Sequence, residues 1–325
     1  MSEKVVVTGA SGHVGAALVR ALLKDGADVR VLVRKDVRAL EGLDVERVSA
    51  DVTDRARVLD AIKGAEVVYH AAARLTLESG YDPDAERVNI QGTRHVVEAC
   101  RASGVRRLVH FSTAHALEGE GALISEGSGK PYERTKAGAE REVRRAVEEG
   151  LDAVIVSPCA VIGPHDHKPS YMGRVLLMLA RGFLPATVVG GQSWVDVRDI
   201  ALSAMAAAKK GERGHRYLLA GNWLPMREFA TLASRAAKVS PPRFDIPFGL
   251  ARRFAPLAER ASRLIGQEPL FSVASMDALE HRPRALDALS TNVLGHAPRP
   301  IEETLRDTFR WYEEAGLLRR NRRTS

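Results

Sequence analysis

The sequence predicts an α/β fold, a Rossmann-type doubly wound parallel sheet with a smaller, mostly C-terminal lobe. Three observations carry this expectation. Short apolar runs alternate with segments of helical periodicity through the first 160 or so residues, and strands that alternate with helices pair in parallel through crossover connections. A glycine triplet spaced G-x-x-G-x-x-G follows the first apolar run directly. Glycines also stand where helical stretches give way to the next apolar run, at Gly26, Gly104 and Gly150, as helix C-caps do.

Taken in order, Lys4 to Thr8 reads as a strand, and Val14, Leu18, Ala21 and Leu22 repeat at helical spacing. Gly26 closes that helix and Val29 to Val33 starts a second strand, completing a βαβ unit. Further strands are expected at Val45 to Ala50, Val67 to His70, Leu108 to Phe111 and Val154 to Ser157, with helices over Asp84 to Ser103 and Tyr132 to Glu149. After Gly163-Pro164 the strict alternation ends. Residues 1–164 are therefore expected to form one domain, and 165–325 mostly a substrate-binding lobe, with segments near 194–200 and 215–220 as candidates to return to the sheet. A cleft between two such lobes is the natural place for a small molecule. Leu250, Phe254, Leu257, Ala261 and Leu264 form an apolar stripe beside Arg252, Arg253, Arg260 and Arg263. A membrane-surface helix has this pattern, but Pro256 interrupts it, and a core-facing lid helix is the preferred reading.

Composition excludes several classes. With 45% hydrophobic and 27% charged residues and 15 prolines, the chain matches a globular protein rather than a disordered or fibrous one. The formal charge of +7 is spread along the chain, with one dense cluster at Arg319-Arg320-Asn321-Arg322-Arg323 that reads as a solvated terminus. Nucleic acid is not expected as a partner, and a phosphate-rich cofactor suits the charge. Cys100 and Cys159 lack ligand or redox spacing and read as buried thiols, and no metal is expected. No secretory signal opens the sequence and no apolar run approaches the length of a membrane span, so a cytoplasmic location is expected.

Gly9, Gly12 and Gly15 sit between a strand and a helix. There glycines permit a tight turn, let the backbone approach a pyrophosphate and allow close helix packing, while the helix N-terminus supplies N–H donors. Dinucleotide binding follows from that context more than from the triplet itself. An acidic residue after the second strand would accept from a ribose 2′-hydroxyl, whereas a basic one accommodates a 2′-phosphate. Arg34-Lys35 stand there, so NADP(H) is favoured over NAD(H), with Asp36 as the residue that would serve the latter. Asp51 is placed to meet the adenine, its alternative being an N-cap for the helix starting near Thr53 or Asp54.

Tyr132 and Lys136 lie four residues apart, on one helical face. A phenol titrates near 10 in water, and a neighbouring ammonium is what makes it a proton donor near neutrality. Beyond this pair and the glycine turn, Asp51-Val52-Thr53-Asp54, His70-Ala71-Ala72-Ala73, Val88-Asn89-Ile90-Gln91-Gly92-Thr93 and Ser157-Pro158 to Gly163-Pro164 occur in order.

With these motifs the chain resembles, over nearly its whole length, the extended short-chain dehydrogenase/reductase family, or NAD-dependent epimerase/dehydratase superfamily. The resemblance implies that Tyr132 is the general acid, that Lys136 holds the nicotinamide ribose, and that a hydroxyl ending the fifth strand binds the substrate oxygen. Phe111-Ser112-Thr113-Ala114-His115 offers two; the family's pattern selects Thr113, with Ser112 second. Counting back from Gly119 would instead give Ala114, an impaired site. The resemblance further implies that Ser11, His13 and Val14 with the three glycines, and Val52, Ala71, Ala72, Ala73 and Pro158, line the cofactor. A homodimer through the helices at 84–103 and 132–149 is also implied.

Sugar-nucleotide dehydratases of the family carry an Asp-Glu pair after the active-site Thr, and Ala114-His115 replaces it here. The second half resembles bacterial dihydroflavonol reductase-like and 3β-hydroxysteroid dehydrogenase-like proteins through Trp194-Val195-Asp196-Val197-Arg198-Asp199 and Leu294-Gly295-His296-Ala297-Pro298-Arg299-Pro300. The implied activity is reduction of a ketone or aldehyde of a fairly apolar small molecule, or the reverse. His115 is a candidate to line the substrate pocket, its alternative being an ordinary packed histidine. A sugar-nucleotide epimerase and a non-catalytic dinucleotide-binding regulator are the rival readings.

Overall fold

In the computed structural model, which describes residues 2–75, 81–118, 121–125, 129–264 and 287–318 (258–264 without side chains), seven parallel strands form one sheet. The first five are β1 (Lys4–Thr8), β2 (Asp28–Val33), β3 (Glu46–Ser49), β4 (Val67–His70) and β5 (Arg107–Phe111). The sheet runs Arg216–Leu219, Ala153–Pro158, β5, β4, β1, β2, β3. Its central strands are covered on both faces, which is why β4 and Ala153–Pro158 are buried at every residue instead of alternating. The strand order reverses between β1 and β4, and ligands of such sheets bind outside the carboxyl ends of the strands at that switch point.

The chain divides into two compact units. The first holds Met1–Cys159, Arg198–Leu219 and Leu286–Ala297. Its core lies between sheet and helices, where Val68, Leu108 and Ile155 pack with Val96, Cys100 and Val143. Helix α1 (His13–Lys24) follows the glycine turn, and α2 (Arg55–Ile62) is capped by Asp54, whose carboxylate accepts the Arg57 N–H at 3.1 Å. Pro131–Glu148 is continuous, with Pro131 in its first turn and Glu133 reaching back to accept the Lys130 N–H at 3.1 Å.

The helix expected from Asp84 to Ser103 is interrupted. It comprises an α-turn at Pro83–Glu86, a π-turn at Arg87–Gln91 and an α-helix at Gly92–Ala102. A π-turn is a single-turn insertion within a helix, and no glycine or proline inside Arg87–Gln91 marks it in the sequence.

The second unit holds Ala160–Val197 and the described parts of Ala220–Ala285 and Pro298–Ser325. Gly191–Asp196 pairs parallel with Ala160–Ile162 and antiparallel with Asn222–Pro225. The segment near 194–200 therefore does not return to the large sheet as a strand: Trp194–Asp196 belong to this three-stranded sheet and Val197–Lys210 is a helix. Arg216–Leu219, by contrast, is the edge strand of the seven. Trp194 is fully buried against Phe229, among residues of the Tyr171–Ala180 and Ile301–Glu314 helices.

Phe248–Leu264 is one helix with Pro256 inside it. Its buried side is Ala255, packed with Val188, Phe248 and Ala251, while Leu250, Phe254 and Leu257 are exposed. The apolar stripe expected to face a core therefore points outward among the described residues. The side chains of Arg260, Ala261, Arg263 and Leu264, and the cluster at 319–323, lie outside the described residues, as does Gly119.

Candidate active site

The glycine turn is built by exclusion of Cβ atoms. Gly9 has φ +71°, and a Cβ there would sit 2.5 Å from the Ala72 nitrogen. At Gly15 a Cβ would sit 2.8 Å from the Ala10 Cα and collide with the Gly9 carbonyl. The Gly12 N–H donates to the Gly9 carbonyl at 3.0 Å, tightening the turn, and α1 starts one residue later. Ser11, His13 and Val14 lie at that helix start, whose first-turn N–H groups have no partner within the helix. The cradle fits a dinucleotide pyrophosphate: backbone donors, a helix N-terminus and no side chain at the two closest approaches.

Ala71, Ala72 and Ala73 follow β4 beside this turn. The Ala71 N–H donates to the Thr8 carbonyl at 3.2 Å and the Ala72 N–H to the Thr8 hydroxyl at 3.3 Å. Pro158 ends its strand, buried and paired with Leu219. Val52 is buried beneath Gly92, where a Cβ would meet its Cγ2 at 2.7 Å.

Arg34 and Asp51 come together, Nη1 to Oδ2 at 3.6 Å. Asp51 is not the cap of α2. Its carboxylate accepts the Thr53 N–H at 2.9 Å and the Thr53 hydroxyl at 2.8 Å. Partial burial pushes its pKa up, but the two Thr53 bonds, Arg34 and Arg87 outweigh this and hold it below the usual aspartate value. Asp36 is bound by Arg38 through two hydrogen bonds of 3.0 and 2.6 Å. Beyond its contact with Asp51, the Arg34 side chain is 74% exposed.

Two contacts bracket Thr113. The Lys136 ammonium donates to the Phe111 carbonyl at 2.5 Å, two residues before it, and the His115 ring lies edge-on to the Tyr132 ring at 6.4 Å, two residues after it. Tyr132, Lys136, Thr113 and His115 are thus gathered at one end of β5. Thr113 is 5% exposed and its oxygen accepts the His115 N–H at 3.2 Å, leaving the hydroxyl's own hydrogen to donate. Ser112 is used differently: its hydroxyl donates to Glu140 at 2.7 Å. His115 also has its Nδ1 at 4.0 Å from Glu133. Burial pushes the Lys136 ammonium down to about 8, opposed by the negative charge of Glu140 one turn on.

A polar chain absent from the sequence reading joins the glycine turn to this helix. The Thr8 hydroxyl meets His70 Nδ1 at 2.7 Å, and His70 Nε2 meets the Thr93 hydroxyl at 2.9 Å. Thr93 donates to the Asn89 carbonyl at 2.6 Å, and the Asn89 amide donates to the Thr135 hydroxyl at 2.9 Å. Asn89 sits in the π-turn and also holds Arg74, accepting its N–H at 2.7 Å and donating to its carbonyl at 3.0 Å. Burial, with the Lys136 charge behind it, pushes His70 down to about 3, so the imidazole is neutral. The only sequence signal for these residues is their placement at the glycine turn, inside the His70 and Asn89 motifs and between Tyr132 and Lys136.

The sequence model of the NAD dependent epimerase/dehydratase family matches residues 5–220. A sterol demethylase protein B from Methylococcus capsulatus is 36% identical over 325 residues, covering 96% of this chain and 99% of that protein. A 2-alkyl-3-oxoalkanoate reductase from Stenotrophomonas maltophilia is 33% identical over 291 residues, 82% of this chain and 86% of that one. Among solved structures, a nucleoside-diphosphate-sugar epimerase from Pseudomonas aeruginosa superposes with a TM-score of 0.78 at 23% identity, covering 97% of this chain and 99% of that one. That likeness is one of fold.

Proposed function

The chain belongs to the NAD dependent epimerase/dehydratase family, a family of NAD(P)-dependent oxidoreductases, and from that premise we propose that it is an NADPH-dependent carbonyl reductase. The observation that carries this reading is the bracketing of Thr113 by the Lys136–Phe111 and His115–Tyr132 contacts, with Ser112 committed to Glu140. One free hydroxyl donor, one phenol and one ammonium meet at a strand end, with no carboxylate following Thr113 to drive elimination of water.

Gly9, Gly12, Gly15 and the start of α1 would hold the pyrophosphate, Arg34 the 2′-phosphate, Asp51 and Val52 the adenine, and Lys136 the nicotinamide ribose. When bound, the nicotinamide supplies the hydride. Thr113 donates a hydrogen bond to the substrate carbonyl oxygen and keeps it within reach of Tyr132. The phenol then protonates that oxygen, its acidity raised by the Lys136 charge on the same helical face. His115, against the Tyr132 ring, lines the substrate side. Fairly apolar ketones or aldehydes fit this reading, in line with the ketone-reductase name of the Stenotrophomonas relative.

The test is a panel of ketones and aldehydes followed by oxidation of NADPH and NADH in parallel. Turnover that prefers NADPH and falls by about three orders of magnitude in Tyr132→Phe is the expected result, the middle of the range for a lost general acid–base group. Turnover unchanged in Tyr132→Phe refutes the mechanism. Epimerisation of a UDP-sugar with retained cofactor, and no carbonyl turnover, refutes the activity.

A further inference from the structure

Glu140 is fully buried one turn beyond Lys136, a carboxylate with no exposure in a helix of otherwise conventional amphipathic pattern. Its Oε2 accepts the Ser112 hydroxyl at 2.7 Å. Its Oε1 accepts Arg144 from Nε at 3.0 Å and Nη2 at 2.9 Å, and Arg216 from Nε at 2.8 Å and also from Nη2. Arg216, on the edge strand, donates in turn to the Gly121 carbonyl at 2.7 Å. One buried carboxylate thus joins the Tyr132–Lys136 helix, the residue before Thr113, the edge strand Arg216–Leu219 and, through Arg216, the Gly121 carbonyl.

A buried ion pair is seldom a net source of stability compared with apolar packing, because both ions must be stripped of water. What it does supply is fixed geometry and fixed charge. Ser112 is covalently next to Thr113, so a bond from Glu140 to Ser112 sets the height of the Thr113 hydroxyl relative to the Tyr132 and Lys136 side chains. Among the described residues, the titratable groups facing Lys136 are Tyr132 and Glu140 from its own helix, His70 from β4 and His110 from β5, with Arg144 and Arg216 on the far oxygen of the same Glu140 carboxylate. Both imidazoles are kept neutral by burial. The negative charge facing the ammonium therefore comes from Glu140.

We infer that Glu140 is a positioning residue of the reductase site: through Ser112 it holds the substrate-binding hydroxyl in register with Tyr132, and one helical turn from Lys136 it sets a fixed negative charge beside the ammonium. This inference rests on the reductase reading, in which Thr113, Tyr132 and Lys136 do the chemistry. Merely structural roles for Glu140 would cost folding without moving a titration.

Three variants separate charge, geometry and folding. Glu140→Gln keeps the size and, with its one oxygen turned to the arginines, lets its amide donate to the Ser112 oxygen, but removes the charge. It should move the basic limb of the kcat/KM pH profile down by about one pH unit, the lower end of what an adjacent charge does. Glu140→Asp restores the charge and should return the limb to its wild-type position while kcat stays reduced by the shorter reach. Ser112→Ala cuts the link to β5 and leaves the charge, so kcat should fall several-fold with the limb unmoved. NADPH affinity, read by nucleotide fluorescence across the same pH range, repeats the Glu140→Gln comparison without turnover; affinity should fade at lower pH in the variant than in the wild type.

Superimposed pH profiles and superimposed affinity curves for wild type and Glu140→Gln overturn the charge role. Wild-type kcat in Ser112→Ala overturns the positioning role, even where Glu140→Gln is not recovered folded. Failure of the underlying reading looks different: wild-type protein then shows no carbonyl turnover that depends on Tyr132, and the NADPH affinity curves alone decide whether Glu140 sets the charge on Lys136.

Discussion

Acidification should destabilise this fold through His70 more than through an ordinary histidine. The imidazole is fully buried, bonded to Thr8 on one side and Thr93 on the other, and burial and Lys136 lower its pKa from 6.5 to about 3. A group with a depressed folded pKa contributes stability that is complete above its unfolded value and is lost as the pH falls toward the folded value. The window here is therefore pH 6.5 down to 3. At 1.36 kcal/mol per unit, the loss from His70 by pH 4 is about 3 kcal/mol, a large part of the stability of a typical domain. Carboxylates lose their own contributions over much of the same range, so the comparison must be internal. His70→Gln keeps a donor and an acceptor for Thr8 and Thr93 but does not titrate. Urea unfolding followed by far-UV circular dichroism at pH 7, 6, 5 and 4 should show the wild type losing about 3 kcal/mol more than the variant over that range. Wild-type and variant stabilities that run parallel with pH would refute the argument, because the buried imidazole would then be protonating in the folded state without cost.

Three further outcomes are expected. Gly15→Ala places a Cβ against the Gly9 carbonyl and 2.8 Å from Ala10 Cα, all backbone, so the helix start must shift; NADPH affinity by fluorescence titration should fall by about tenfold or more, the equivalent of about 1–3 kcal/mol of overpacking, with the circular dichroism spectrum retained. Arg34→Ser should cut NADPH affinity about tenfold, the worth of a charge-assisted hydrogen bond, and leave NADH affinity unchanged; equal losses for both cofactors would remove Arg34 from the 2′-phosphate. Asn89→Ala unties Arg74 from Thr135 and should lower the unfolding free energy by about 2 kcal/mol, measured by urea denaturation, together with a fall in kcat.

Much of the first unit was legible because its signals are local. A strand, a glycine turn with required positive φ at Gly9 and a following helix need only neighbours in sequence, and so does a phenol one helical turn from an ammonium. The second unit was harder. Trp194-Val195-Asp196 has the apolar character of any buried strand, and nothing local says whether its partners are in the large sheet or beside Ala160–Ile162. The stripe Leu250, Phe254, Leu257 has the right period for a buried face, yet among the described residues Ala255, with Ala251 beside it, is what packs on Val188, because periodicity does not say which of two apolar faces a neighbour will cover.

The parallel α/β architecture, the dinucleotide turn and the Tyr132–Lys136 pair could be read from the chain because all of them depend on spacings of a few residues. At the end of β5 the family's pattern ranked Thr113 ahead of Ser112 without a physical reason, and it is packing that supplies one. Ser112 and Thr113 are adjacent and chemically alike, and they are told apart by Glu140, 28 positions beyond Ser112, and by Arg216, 76 positions beyond Glu140. The same holds for the Thr8, His70, Thr93, Asn89 and Thr135 chain, whose bonds span as many as 62 positions. A hydrogen bond needs its partners within about 3 Å, and only the packing of helix on sheet brings residues so distant in sequence that close.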